Sequence, residues 1–269
     1  MKKVFIYSLL CLANLSLLSC SGGGEKKSAN VDVNNIDRDI KFESFTFDLI
    51  GEITHEEDSI PEEGWRYIRY IAQGVVPQDT GADNIKQLRD TLLKIASVRF
   101  LDSTTPEPDI DDSIRITDIQ PSDINACGEE ISNLSTTLVT PRAVVWECKS
   151  YSYPCGAAHG YTTTTYINYS INDGKILEYP DLMIAGYEKP LAKLIQDKIK
   201  EKNIQLLTSL SEINVPDEFE LTPSGIIFSY DPYFIAPYSE GTVQIELSAY
   251  ELEEILSTEG KYILLGIIE

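Results

Sequence analysis

The stretch AVVWECKSYSY, Ala143–Tyr153, followed after Pro154–Gly160 by YTTTTYINYSI, Tyr161–Ile171, decides the fold. Both runs are rich in β-branched and aromatic residues, which suit a pleated, half-buried surface. Both also alternate in polarity, as strands with two unlike faces do. The segment between them, Pro154-Cys155-Gly156-Ala157-Ala158-His159-Gly160, holds a proline and two glycines, so the two strands are expected to form a hairpin closed by a specially shaped loop. Asn172-Asp173-Gly174 makes the next turn and Ile176–Tyr179 the next short strand.

Working outward, Leu191, Leu194, Ile195 and Ile199 recur at helical spacing and predict an amphipathic helix over Lys189–Lys200. Gly225–Tyr230, Thr242–Leu247 and Lys261–Ile268 read as strands, with a short helix near Ala249–Leu256. On the other side, Phe45, Phe47 and Leu49 alternate with Ser44, Thr46 and Asp48, and a strand is expected there. Trp65–Val76 reads as another strand, ending at Gln73-Gly74 or Pro77. Asp83–Ala96 carries Ile85, Leu88, Leu92, Leu93 and Ile95 on one face, which predicts a helix with Asp83 as its cap. Thr104–Ser113 reads as an acidic, proline-bearing loop. Its run Asp109, Asp111, Asp112 lacks the glycine and closing glutamate of a calcium-binding EF-hand loop, so it is read as a solvated surface. Strands in meanders with helices between them, and no βαβ rhythm, imply an α+β fold: a mostly antiparallel sheet with helices packed on it, in two fused lobes.

The N-terminus assigns a location. Lys2-Lys3, an apolar run Val4–Leu18, then Ser19-Cys20 form the pattern of a lipoprotein signal peptide, although Leu18 is bulkier than such sites usually carry. The apolar run falls short of the roughly 20 residues a transmembrane helix needs. The expected organisation is therefore a signal peptide over 1–19 and an acylated Cys20 on a polar, glycine-bearing tether over 20–38. The body follows over 39–269, with an N-terminal lobe to about 180 and a C-terminal lobe from about 181. The protein is expected in the cell envelope, touching a membrane through its lipid anchor alone, with the outer membrane as its site.

The chain has 22 basic and 43 acidic residues, a formal charge of −21; losing Lys2 and Lys3 leaves 20 against 43, or −23. Nucleic acid is excluded as a partner, because phosphate backbones need clustered Lys and Arg. The same charge favours a cationic partner and would steer it at low salt.

Five cysteines include Cys11 in the signal and Cys20 at the anchor, leaving Cys127, Cys148 and Cys155. Cys148 and Cys155 flank the hairpin end, and a bridge between them is expected in an oxidising compartment, with Cys127 free or competing. With two histidines in the chain and no CxxC pair, no metal and no cofactor are expected.

Three segments carry a family resemblance. CGAAHG (Cys155–Gly160) resembles a GGAHG-type hairpin loop, followed by INYSINDGKILEYPDLM (Ile167–Met183). FSYDPYFIAPYSEG (Phe228–Gly241) runs into TVQIELSAYELEEIL (Thr242–Leu256), an aromatic strand, an IAPY turn and a strand leading into a helix. Together they are similar to a family of exported domains of unknown function. That family supplies the extracytoplasmic, lysozyme-sensing part of the anti-sigma factor RsiV, and it accompanies the catalytic domain of the peptidoglycan deacetylase PdaC. The resemblance covers Ala143–Ile268 well and Phe42–Ile119 loosely. It implies a non-catalytic body that binds a lysozyme-like cationic protein or a peptidoglycan fragment, with an envelope glycan hydrolase or deacetylase as the alternative. The lipid anchor replaces the sensor's transmembrane helix and no sigma-binding segment is expected, so sigma-factor capture is not.

Catalytic patterns are sparse. A Ser-His-Asp triad would have to use His55 or His159, and there is no GxSxG elbow. A Cys155–His159 dyad is sterically feasible, but a disulfide at Cys155 would abolish it; His159 is read instead as fixing the loop. Tyr230, Tyr233, Phe234 and Tyr238 with Pro232 and Pro237 form a proline-stiffened aromatic turn. It reads either as a recognition surface or as core with Pro237 shaping the turn. The residues expected to bind a ligand are His159, Tyr161, Tyr233, Pro237 and Tyr238. Asp58-Ser59-Ile60, Asp90-Thr91-Leu92, Asp102-Ser103-Thr104 and Asp112-Ser113-Ile114 also resemble short O-glycosylation signals of exported proteins.

Overall fold

A computed structural model describes residues 40–54, 67–102, 105–109 and 114–267. Cys20 and its signal, His55, Trp65, Asp111 and Asp112, and the glycosylation-like serines Ser59, Ser103 and Ser113 lie outside these residues. In chain order come β1 (Phe42–Ile53), β2 (Tyr67–Pro77), α1 (Asp83–Ile95), β3 (Val98–Asp102), β4 (Thr105–Pro108), β5 (Ile114–Ile116), β6 (Gly128–Val139), β7 (Ala143–Tyr153), β8 (Tyr161–Ser170) and β9 (Lys175–Ile176). Then follow α2 (Tyr179–Leu182), α3 (Glu188–Lys202), β10 (Glu218–Leu221), β11 (Gly225–Tyr230), β12 (Val243–Ser248), α4 (Ala249–Leu252) and α5 (Thr258–Leu265).

The large sheet has the order β5-β1-β2-β6-β7-β8-β9, and all its neighbours are antiparallel except β2 and β6. A second sheet, β10-β11-β12, is antiparallel throughout, and β3 with β4 forms a separate hairpin. The fold is thus α+β on a mostly antiparallel sheet, as the alternation of β7 and β8 implied. Among the described residues no helix is long and apolar enough to cross a membrane.

Period-two alternation divides the large sheet's faces. Trp146 and Cys148 on β7 and Leu134 on β6 point to the face covered by α1, whose Leu88, Leu92 and Leu93 complete a core with Phe47 and Ala72. Ala143 and Val145 point the other way, into a second core with Leu191, Ile195 and Ile199 of α3 and with Phe219, Phe228, Ile245 and Leu247 of the small sheet. Each fully buried Leu or Ile contributes about 1.5–3 kcal/mol by leaving water, which is why the apolar stripes of α1 and α3 were readable.

Several expectations are corrected. The strand expected over Lys261–Ile268 is replaced in its described part by a helix: Thr258–Leu265 is α5, capped by Ser257 Oγ, which accepts from Gly260 N at 3.0 Å, and ended by Gly266 at φ +71°. The short helix before it stops at Leu252, held by the reciprocal Ser248–Glu251 capping box. Asp83 is the first helical residue of α1, and Ala82 is the cap. Within the expected acidic loop, Thr105–Pro108 pairs with β3 as β4. The short strand after the Asn-Asp-Gly turn is Lys175–Ile176, and Tyr179 opens α2.

Candidate functional site

The expected Cys148–Cys155 bridge is also corrected: Cys127 bonds Cys155, with Cα atoms 4.8 Å apart, and Cys148 is a buried thiol. Strand register explains it. β6 and β7 pair Glu129 with Tyr153, and two further steps along the same register set Cys127 opposite Cys155. Cys148 pairs with Thr165 inside β7, seven residues from Cys155, or about 20 Å of extended chain. Its side chain is 2 % exposed in the first core, and burial pushes its thiol upward.

Beyond the bridge, Pro154–Gly160 folds back on the strand it leaves. Ala157 N donates to Pro154 O at 3.0 Å, and Tyr153 Oη donates to Ala157 O at 2.9 Å. Gly160 lies so close to Tyr151 that a Cβ there would come within 2.4 Å of the ring. His159 Nδ1 lies 3.1 Å from Gly160 O, and the ring itself faces outward.

The second motif leaves β11 at Tyr230, whose hydroxyl donates to Asn214 O at 2.6 Å from the second core. Phe234 N donates to Asp231 O and Tyr233 N to Ala236 O, at 3.1 and 3.0 Å. Tyr233 takes φ +71°, a conformation uncommon for a bulky residue. Ile235 and Ala236 are buried at 3 % and 1 %, and Ile235 O accepts from Leu207 N at 2.9 Å. This apolar plug turns its neighbours outward: Tyr233 is 63 %, Phe234 72 % and Tyr238 51 % exposed. Pro237 is half-buried and leads into a 3-10 turn over Tyr238–Glu240.

The two motifs meet. The His159 and Tyr238 rings lie 5.8 Å apart at 35°, and Tyr238 stacks on Tyr233 at 5.5 Å and 28°. Tyr161, 54 % exposed, follows the hairpin loop directly. Of the residues singled out from sequence, His159, Tyr233 and Tyr238 are joined in one row of rings, while Tyr230 is core and Phe234 is surface. Phe234 was not among the residues expected to bind a ligand; its neighbours' periodicity carries no signal for the buried Ile235-Ala236 plug that exposes it.

Glu218 at the start of β10 and Asp231 at the start of the aromatic turn are half-buried carboxylates. Burial raises the Glu218 carboxyl, and the neighbouring Asp231 and Asp217 add to this, although Tyr166 N donates to Glu218 Oε2 at 2.8 Å and opposes it. Burial raises Asp231 as well. Tyr166 is pushed up to about 12, by burial first and then by Glu220 and Glu147. Among the described residues no group of three or more His, Cys, Asp or Glu is placed to hold a metal ion. Cys155, being oxidised, supplies no thiolate to His159.

Fold and site together define an α+β sheet domain with an exposed aromatic corner at the junction of a hairpin loop and a proline-bounded turn. Residues 180–250 match DUF3298, a family described as a protein of unknown function; the matched span runs from α2 to α4 and includes the aromatic turn. A solved structure of a DUF3298 family member from Bacteroides fragilis is similar at a TM-score of 0.58 and 14% identity, covering 82% of this chain and 94% of that one. A DUF3298 family protein from Pseudomonas aeruginosa is similar at 0.55 and 17% identity, covering 84% and 98%. At such identities the likeness is one of fold. Among curated proteins, none matches the chain.

Proposed function

We propose that this chain is a cell-envelope lipoprotein whose body binds a partner through the aromatic corner and has no catalysis of its own. The observation that carries the reading is the His159–Tyr238 contact, which joins two motifs 79 residues apart into one exposed surface. Rigid tyrosines on a constrained turn give large contact area at little entropic cost. They share their turn with Asp231 in a chain of formal charge −21, and this combination favours a cationic partner. A lysozyme-like protein fits that chemistry and the sequence resemblance, and a peptidoglycan fragment is the second candidate. Anchoring rests on the Lys2–Cys20 signal. Binding of the full chain to lysozymes and to peptidoglycan fragments across a salt series tests the reading. Binding that weakens with salt supports the cationic protein, and salt-insensitive binding supports the fragment. No binding to either, together with turnover of an acetylated glycan, would transfer the chain to the envelope hydrolases or deacetylases.

A further inference from the structure

We propose that the Cys127–Cys155 disulfide is a redox-sensitive clasp for the aromatic corner, opened by a dithiol that thereby releases the hairpin loop from Tyr238. The proposal rests on the reading of that corner as the binding surface, and it adds the means of switching it.

The bridge lies outside the ladder it extends. The last β6–β7 pair is Glu129 with Tyr153, and Cys127 and Cys155 sit beyond it, both half-buried. Breaking the bridge therefore removes no strand pair and opens no core. Its anchor is firm on one side: Cys127 N donates to Tyr67 O of β2 at 3.0 Å. Close approach is built in, because a Cβ at Gly128 would lie 2.6 Å from Tyr153 O and 3.3 Å from Cys155 Sγ. On the other side, the loop's own bonds join Pro154 to Ala157 and Tyr153 to Ala157 in its first half, and in its second half His159 Nδ1 lies 3.1 Å from Gly160 O. The His159 end is held by Gly160, packed against the Tyr151 ring, by Tyr161, which pairs with Ser152 in the β7–β8 ladder, and by the ring contact of His159 with Tyr238. The bridge thus adds a tie between Cys127, just before β6, and the Cys155 end of the loop that presents His159.

Opening proceeds by exchange. A dithiol thiolate attacks one sulfur, the Sγ–Sγ bond breaks and a mixed disulfide forms; the second dithiol sulfur then expels the remaining protein thiolate. Two electrons and two protons pass to Cys127 and Cys155, and the dithiol becomes its own disulfide. Cys148 takes no part, since its thiol is 2 % exposed and raised by burial. Cys127 and Cys155 are half-buried residues beyond the strand ends, whereas Cys148 lies inside the first core.

The experiment is peptide-resolved hydrogen exchange on the full chain in detergent, oxidised and after treatment with dithiothreitol under native conditions, with Cys127→Ser/Cys155→Ser as a second form. On reduction, amides of 154–161 and 231–238 are expected to exchange at least 10-fold faster, while those of α3 stay protected. The double variant should match the reduced protein. Unchanged protection in the loop and turn after reduction overturns the clasp, as does a bridge that dithiothreitol cannot reduce without denaturant. Loss of protection in α3 as well overturns it too, since the bridge would then hold the whole fold. None of these readouts uses a ligand, so the clasp can fail while the binding surface stands, and the reverse.

Discussion

Asn168 and Leu221 join the two sheets: the Asn168 side-chain carbonyl on β8 accepts from Leu221 N on β10 at 2.9 Å, and its amide donates to Phe219 O at 2.8 Å. One buried side chain, 2 % exposed, thus replaces the ladder that a neighbouring strand would provide. Next to it Glu218 accepts from Tyr166 N, so side chains of β8 and β10 satisfy each other's backbones along the seam. The aromatic corner draws its hairpin loop from the sheet on one side of this seam and its turn from the sheet on the other.

Asn168→Ala should leave Leu221 N–H and Phe219 C=O buried without partners. At about 1–3 kcal/mol for each of the two orphaned groups, a loss of about 2–6 kcal/mol is expected in denaturant unfolding. A variant as stable as the parent would show that water or a neighbouring group reaches the seam.

Glu218 gives the seam a pH dependence. Its carboxyl is raised by burial, so between its ordinary value and the higher folded value the native state binds the proton more tightly than the unfolded chain does. The stability this contributes is fully present below the ordinary glutamate range and is lost as pH rises through the folded value. Glu218→Gln keeps an acceptor for Tyr166 N–H and removes the charge. The variant should therefore gain stability relative to the parent between pH 4 and pH 7, read as the difference in unfolding midpoints. A difference that does not change with pH would mean that the carboxylate is as well solvated folded as unfolded.

Much of the architecture was legible because burial writes itself into periodicity. The alternation of β7 and β8 and the stripes Leu88-Leu92 and Leu191-Ile195 are direct records of which face leaves water. The C-terminus was misread because Tyr262–Leu265 is a short apolar run that suits a strand as well as a buried helix, and the Ser257 cap and Gly266 stop that decide it lie outside the run. The cysteine pairing was misread because nearness along the chain favoured Cys148, whereas the β6–β7 register, a non-local property, selects Cys127. Each half of the aromatic corner was visible by composition. Their junction was not, since no local pattern records a contact between His159 and Tyr238.

Anchoring at Cys20 has its own test. Removal of the thiol by Cys20→Ala leaves nothing to acylate, and a chain without stable acyl anchoring leaves the membrane. The variant should appear in the soluble envelope fraction, by immunoblot of separated fractions. Full retention in membranes with normal processing would refute lipid attachment at this residue.

Tyr238 is the central test of the corner. It is 51 % exposed, stacks on Tyr233 and touches His159, so it stands at the centre of the ring row. Central aromatic residues are the ones whose truncation costs most at an interface, about 2 kcal/mol or more at a hot spot. Tyr238→Ala should therefore raise the dissociation rate of a bound lysozyme about 30-fold, at roughly 1.4 kcal/mol per tenfold, with little change in association. Charge acts on the other rate: association should slow as salt shortens the screening length to about 8 Å at physiological ionic strength. Because Tyr238 carries no charge, the salt slope of association should be the same in the variant and the parent. Surface plasmon resonance of both proteins across a salt series separates the two effects. Parent-like dissociation from Tyr238→Ala would place the binding surface away from this corner.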